Sequence, residues 1–116
     1  MAKPSAPLSS DLSALLATRR DGHGMPRAFY NTDALYAEEV ARIWQGGWLF
    51  AGFTIEIPKP GDYITLTVDN TPVLVMRDDG GEVRAFHNVC RHRGTILCRP
   101  DSGHVRAIIC PYHSWT

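Results

Sequence analysis

The chain has 116 residues, 44% of them hydrophobic, which suffices for one small domain with a modest core and carries no compositional sign of disorder. Twelve Lys and Arg against twelve Asp and Glu give a formal net charge of zero, so no global field points to a nucleic-acid or acidic-lipid partner. Three cysteines, an odd number, fit poorly with a secreted disulfide framework and better with thiolates used as metal ligands in a reducing compartment.

Residues 1–9 are rich in Pro and Ser and are expected to fray. The apolar stretch in the first twenty residues is broken by Ser, Asp and Thr. It is too polar for a signal-peptide core and too short to cross a bilayer, so a cytoplasmic protein with no membrane partner is expected. Over 11–20, a capping start at Ser10 or Asp11, apolar Leu12, Leu15 and Leu16, and a basic end before Asp21-Gly22 predict a short helix. Gly22, Gly24 and Pro26 interrupt the chain. Thr32 or Asp33 then opens a second helix, whose Leu35, Tyr36, Val40, Ile43 and Trp44 share one broad face until Gly46-Gly47 stops it. Residues 1–45 therefore read as an α-helical lead.

From Trp48 the period shortens to that of strands. Strands are predicted over 48–53, 62–68, 72–77, 82–86 and 105–109, with reversals at Asp69-Asn70 and at Asp78-Asp79-Gly80-Gly81. Residues 46–116 read as a small antiparallel β-domain, so the fold class is mainly β.

Two short motifs carry the chemistry. Cys90-Arg91-His92 and Cys110-Pro111-Tyr112-His113 give C-x-H, seventeen intervening residues, then C-x-x-H, each pair where a predicted strand runs into a loop. Two loops can thus pinch one site. Two thiolates with two imidazoles suit a [2Fe–2S] cluster in which histidines replace cysteines on one iron. Two ferric ions, two bridging sulfides and two thiolates sum to zero charge, so an added electron meets less repulsion than on an all-cysteine cluster. The potential rises to roughly −150 to +300 mV, against about −400 mV for plant-type clusters. A structural zinc ion is the plainer alternative. Zinc motifs, however, usually pair cysteine with cysteine and histidine with histidine, whereas each pair here is mixed.

The block His87-Asn88-Val89-Cys90-Arg91-His92-Arg93-Gly94, followed by Cys110-Pro111-Tyr112-His113-Ser114-Trp115-Thr116, resembles the Rieske motif of ring-hydroxylating oxygenase α subunits. The similarity extends over about residues 28–116, through Phe29-Tyr30, the stretch from Tyr36 to Trp48, Gly52, Pro60-Gly61-Asp62-Tyr63 and Val73-Leu74-Val75-Met76-Arg77. Residues 87–98 are most similar to the branch acting on quaternary ammonium compounds, the glycine betaine monooxygenase type.

The resemblance implies a Rieske (ISP-like) β-domain in which Cys90 and Cys110 hold the buried iron and His92 and His113 the outer one. It implies a flavin or iron–sulfur reductase, or a ferredoxin, as one-electron donor. It also implies transfer to a mononuclear Fe(II), held by two His and one carboxylate, across a subunit boundary in a homotrimer. The reaction supported would be a monooxygenase or dioxygenase hydroxylation or demethylation. In that family the mononuclear iron lies in a domain beyond the position of Trp115-Thr116, so the β-domain is expected to be C-terminally truncated and this chain to hold no catalytic residue of its own. The spare histidines, His23, His87 and His104, are too scattered for a facial triad. The rival reading is a stand-alone Rieske ferredoxin, which the helical lead of about 45 residues disfavours. Respiratory Rieske proteins carry an extra cysteine pair that braces the loops; here Tyr112 takes one of those positions.

The remaining residues read more blandly. Ser114 stands where many oxygenases carry Gly, a change that costs a little if the turn needs positive φ. Cys98 is expected to pack rather than to ligate, and Trp44, Trp48 and Trp115 to pack at core and rim. Arg91, Arg93, Arg99 and Arg106 form either a docking face for an acidic donor or a solvated face paired with local carboxylates. His87 and His104 read as structural or exposed.

Overall fold

The computed structural model describes residues 9–116, so most of the stretch expected to fray lies outside the described residues. The chain divides into two compact units, the second being Phe50–Thr116.

In the first unit, α1 (Ser10–Ala17) is capped by Ser9, whose hydroxyl accepts from the Leu12 N–H at 3.4 Å. It ends earlier than predicted because the Thr18 hydroxyl donates to the Leu15 carbonyl at 2.7 Å, leaving Arg19 and Arg20 beyond the helix. A single turn, α2 (Ala28–Asn31), was not predicted. Thr32, as expected, precedes α3 (Asp33–Glu39), which runs on into a π-helical turn over Val40–Trp44. The wider turn closes through Gln45 N–H donating to the Val40 carbonyl at 2.8 Å. Of the predicted apolar face only Val40 is buried; Tyr36, Ile43 and Trp44 are each at least half exposed.

The second unit is built on four antiparallel strands: β1 (Asp62–Val68), β2 (Thr71–Arg77), β3 (Val83–His87) and β4 (Ser102–His104). Their order across the sheet is β3-β2-β1-β4. Asp69 and Asn70 make the β1–β2 reversal, with Val68 opposite Thr71. The β2–β3 turn is closed by Asp78, which accepts from the Glu82 N–H at 2.9 Å. Arg77 ties that turn to the incoming chain, donating to the Gly81 carbonyl at 2.6 Å and the Ile57 carbonyl at 2.7 Å.

Two predicted strands are corrected. Residues 48–53 are irregular: their aromatic and apolar composition suits a strand, but no neighbouring strand supplies a ladder. The strand predicted over 105–109 lies instead at β4, where Asp62, Tyr63 and Ile64 pair with His104, Gly103 and Ser102. The ladder runs out when the Val105 N–H donates to the Gly61 carbonyl at 2.9 Å, because β1 begins at Asp62. Beyond that point Val105 and Ile108 pack on the core of Tyr63, Leu74 and Cys98. Burial of Leu74, 1% exposed, contributes about 2–3 kcal/mol. Gly103 lets β4 approach, since a Cβ there would lie 2.7 Å from the Tyr63 hydroxyl.

The topology positions the site. β3 and β4 are the two edges of the sheet, and the chain passes from one to the other through residues 88–101. A second loop follows β4, so both motif loops emerge from segments anchored to the same sheet.

Candidate metal centre

Two turns of one backbone form present the motif residues. In the first, the Gly94 N–H donates to the Cys90 carbonyl at 2.9 Å and the Cys90 N–H to the Thr95 carbonyl at 2.8 Å. In the second, the Ser114 N–H donates to the Cys110 carbonyl at 2.9 Å and the Cys110 N–H to the Trp115 carbonyl at 2.7 Å. Four residues after each cysteine the backbone turns left-handed, with φ +67° at Gly94 and +58° at Ser114. Glycine enters that region freely, whereas an L side chain costs about 1–2 kcal/mol there. The penalty raised for Ser114 is therefore real.

The turns carry the four predicted residues to different depths. Cys90 is 7% exposed and Cys110 2% exposed, whereas His92 and His113 lie at the surface. The His92 and His113 rings approach to 5.0 Å between centroids. Backbone N–H groups of Tyr112 and then His113 hold the Cys110 thiol below its ordinary value, and a hydrogen bond between Cys110 and Cys90 acts in the same direction. Donors aimed at sulfur favour the thiolate, the form that binds metal.

The sequence did not single out what braces these turns. Asn88, 2% exposed, faces Cys98 with both ends of its amide: its Nδ2 donates to the Cys98 carbonyl at 2.6 Å and its Oδ1 accepts from the Cys98 N–H at 2.9 Å. A bridge between Val89 and Ile96 continues the clamp. An Asn between a strand and a cysteine motif was the available signal. A second unforeseen feature is a line of rings. Tyr112 lies 3.8 Å from His113, and Trp115 lies 4.6 Å from His92 with the two planes only 2° apart.

The other candidates fall where the bland readings put them, with two exceptions. The Cys98 thiol packs in the core, and burial pushes its pKa up, which suits a packing residue rather than a ligand. His104 pairs with Asp62 at 2.9 Å, His23 contacts the Asp21 carbonyl at 3.1 Å, and His87 lines an apolar cleft of about 600 Å³ beside Cys90. Arg91, Arg93, Arg99 and Arg106 are exposed and, among the described residues, none has a carboxylate partner. Of the two readings offered for these arginines, the one with local carboxylate partners is thus not seen among the described residues. None of the tryptophans packs in the core: Trp44, Trp48 and Trp115 are 50%, 104% and 56% exposed, and Trp115 is covered in part by His92.

Among the described residues no three or more His, Cys, Asp or Glu close round a single ion. Cys90 and Cys110 form a buried sulfur pair and His92 and His113 an exposed imidazole pair, a set of side chains that would fit a group with two metal atoms, one desolvated and one near solvent. Sulfur inside and imidazole outside, on two loops anchored to one small sheet, is an arrangement that suits an iron–sulfur electron-transfer module.

Comparison with known proteins makes the class particular. Residues 47–116 match the Rieske [2Fe–2S] domain, and the chain belongs to that family. Over 102 residues, 88% of this chain and 23% of the relative, it is 45% identical to the glycine betaine monooxygenase oxygenase subunit of Chromohalobacter salexigens. Naphthalene 1,2-dioxygenase from Rhodococcus sp. superposes with a TM-score of 0.79 at 35% identity, over 94% of this chain and 26% of that one. A quaternary ammonium Rieske monooxygenase, described for carnitine oxidation by gut microbiota and for inter-subunit electron transfer, superposes with a TM-score of 0.74 at 35% identity, over 78% of this chain and 25% of its own. The chain spans about a quarter of the length of the curated relatives it matches. The expected small antiparallel β-fold with short helices is the one observed. No helix among the described residues is long and apolar enough to cross a membrane.

Proposed function

We propose that this chain is the Rieske part of an oxygenase α subunit of the quaternary ammonium type, with Cys90 and Cys110 holding the inner iron of a [2Fe–2S] cluster and His92 and His113 the outer one. The observation that carries the reading is the division of the four donors into a buried thiol pair and an exposed imidazole pair on matched turns. The cluster, when bound, supplies a site that takes up and releases one electron at a time. The rest is done by the chain. The first turn, tied to the core through Asn88, holds Cys90 and His92 in place before metal arrives, which limits the conformational entropy lost on loading. The N–H groups of Tyr112 and His113 stabilise negative charge on Cys110. The exposed edges of His92 and His113 provide the short path by which an electron enters and leaves.

In the same reading the donor is a flavin or iron–sulfur reductase, or a ferredoxin. The acceptor is a mononuclear Fe(II) held outside these residues, on a neighbouring subunit of a homotrimer. The setting is the cytoplasm, and the supported reaction is an oxidative demethylation or hydroxylation. The inter-subunit transfer described for the quaternary ammonium relative supports the acceptor's placement. The relatives described above are oxygenases rather than free-standing ferredoxins.

The test is anaerobic expression followed by visible absorption, EPR of the reduced protein, and assay of iron and acid-labile sulfide. A reddish-brown protein with iron and sulfide in equal amounts and a low average g value is expected. A colourless protein containing zinc would overturn the ligand assignment.

A further inference from the structure

Trp115 is the aromatic residue whose placement the function above does not absorb. Its carbonyl accepts from the Cys110 N–H at 2.7 Å, so the turn that seats one cysteine also fixes the backbone of this tryptophan. Its ring then crosses to the other turn and lies flat on His92, 4.6 Å between centroids and 2° from parallel. That is the geometry of an offset stack. The indole remains 56% exposed, so filling the core does not account for its position. Tyr112, by contrast, touches the histidine next to it in sequence, a contact that adjacency alone produces.

We propose that Trp115 is a positioning residue for His92: the stacked indole sets the plane of the imidazole, keeps water from one of its faces, and holds down the midpoint potential of the bound cluster. The inference rests on the assignment of His92 as a ligand. With two thiolates and two neutral imidazoles the oxidised cluster is uncharged and the reduced cluster carries one negative charge. Excluding water from a ligand face disfavours the charged, reduced state. The electron-rich face of the indole acts in the same direction, since it favours the more electron-poor imidazole of the oxidised state. Both effects lower the potential, so removing the ring raises it. Because the stack joins the two turns, removing it also frees His92 to rotate on its iron.

The experiment compares the full chain with W115F, W115L and, as a control for losing an exposed indole elsewhere, W48L. Each is loaded anaerobically with iron and sulfide and then titrated spectroelectrochemically, and the EPR spectrum of the reduced form is recorded. W115L is expected to raise the midpoint potential by a two- to tenfold change in the redox equilibrium constant, about 20–60 mV for a one-electron couple, with altered g anisotropy. W115F, which can still stack, should restore most of the parent behaviour, and W48L should match the parent. If W115L cannot hold the cluster while W115F holds it with parent-like g values, the stack is confirmed as the feature that secures His92. If W115L keeps the parent potential and spectrum, or W115F departs as far as W115L, the inference fails while the ligand assignment stands. A parent chain that takes up no cluster overturns both, and that outcome is visible before any variant is made.

Discussion

The turn at Cys90 is tied into the sheet from both sides, whereas the turn at Cys110 closes on itself. Before the first cysteine, the Asn88 N–H donates to the Pro72 carbonyl at 2.9 Å, extending the β2–β3 ladder by one residue. After it, the Asn88 amide grips Cys98, and Cys98 is part of the core. The main-chain hydrogen bonds of the second turn run within residues 110–116. Its links outward include the packing of Ile108, two residues before it, on the core, the contact of Cys110 with Cys90, and the rings of His113 and Trp115 against His92. Two turns with the same internal bonding are thus held by different means, the first by the fold and the second largely by the site itself. Under the proposed ligand assignment the first half of the site is rigid by itself, and the second would gain its order as metal binds, since metal binding couples to folding.

That comparison can be broken most sharply at Asn88. Replacing it by Ala strips both partners from the Cys98 backbone in a buried place, and the expected loss is about 2–4 kcal/mol of unfolding free energy, read from chemical denaturation. A change below about 0.5 kcal/mol, the range of ordinary surface substitutions, would mean that the first turn is not braced by the clamp.

Metal removal should separate the two turns next. In the cluster-free chain, amide exchange at Cys110 and Ser114 is expected to run about tenfold faster than at Cys90 and Gly94, a difference of roughly 1.4 kcal/mol in local opening. Equal protection would show that the second turn has a brace beyond those named.

A smaller and paired test uses the shared left-handed position. Gly94→Ala meets no atom within 4 Å, so its cost is conformational alone, about 1 kcal/mol of destabilisation. Ser114→Gly should act in the opposite direction by up to about 1 kcal/mol, less the greater freedom of glycine in the unfolded chain. If the two midpoints in denaturant move in the same direction, the turns do not share the backbone plan.

The smallest effect is expected at the edge that both turns depend on. The His104 side chain, and then the Lys59 N–H, hold the Asp62 carboxyl below its ordinary value of 3.8. A depressed carboxyl contributes stability above its unfolded value and loses it as pH falls through the folded one, so this contribution should fade below about pH 4. Asp62→Asn should flatten that acid limb, followed by thermal melts between pH 3 and 6. A parent and a variant with the same acid slope would remove Asp62 from the account.

The sequence by itself determined the motif residues, the antiparallel class, the β1–β2 hairpin with its Asp69-Asn70 turn, and the positive-φ question at Ser114. These are local matters: residue type, spacing and turn chemistry act within a few positions of each other. It placed the last strand wrongly over 105–109 because apolar composition does not say where a partner strand ends, and only pairing with β1 put β4 at Ser102–His104. It passed over Asn88 and read Trp115 as packing because each acts on a residue brought near by the fold, Cys98 ten positions on and His92 in the other turn. Tertiary structure also fixed the depth of the four motif residues, which the family resemblance had implied with the cysteines inside and the histidines outside. Neither spacing nor residue type measures distance from solvent, which depends on how the sheet and its loops pack together.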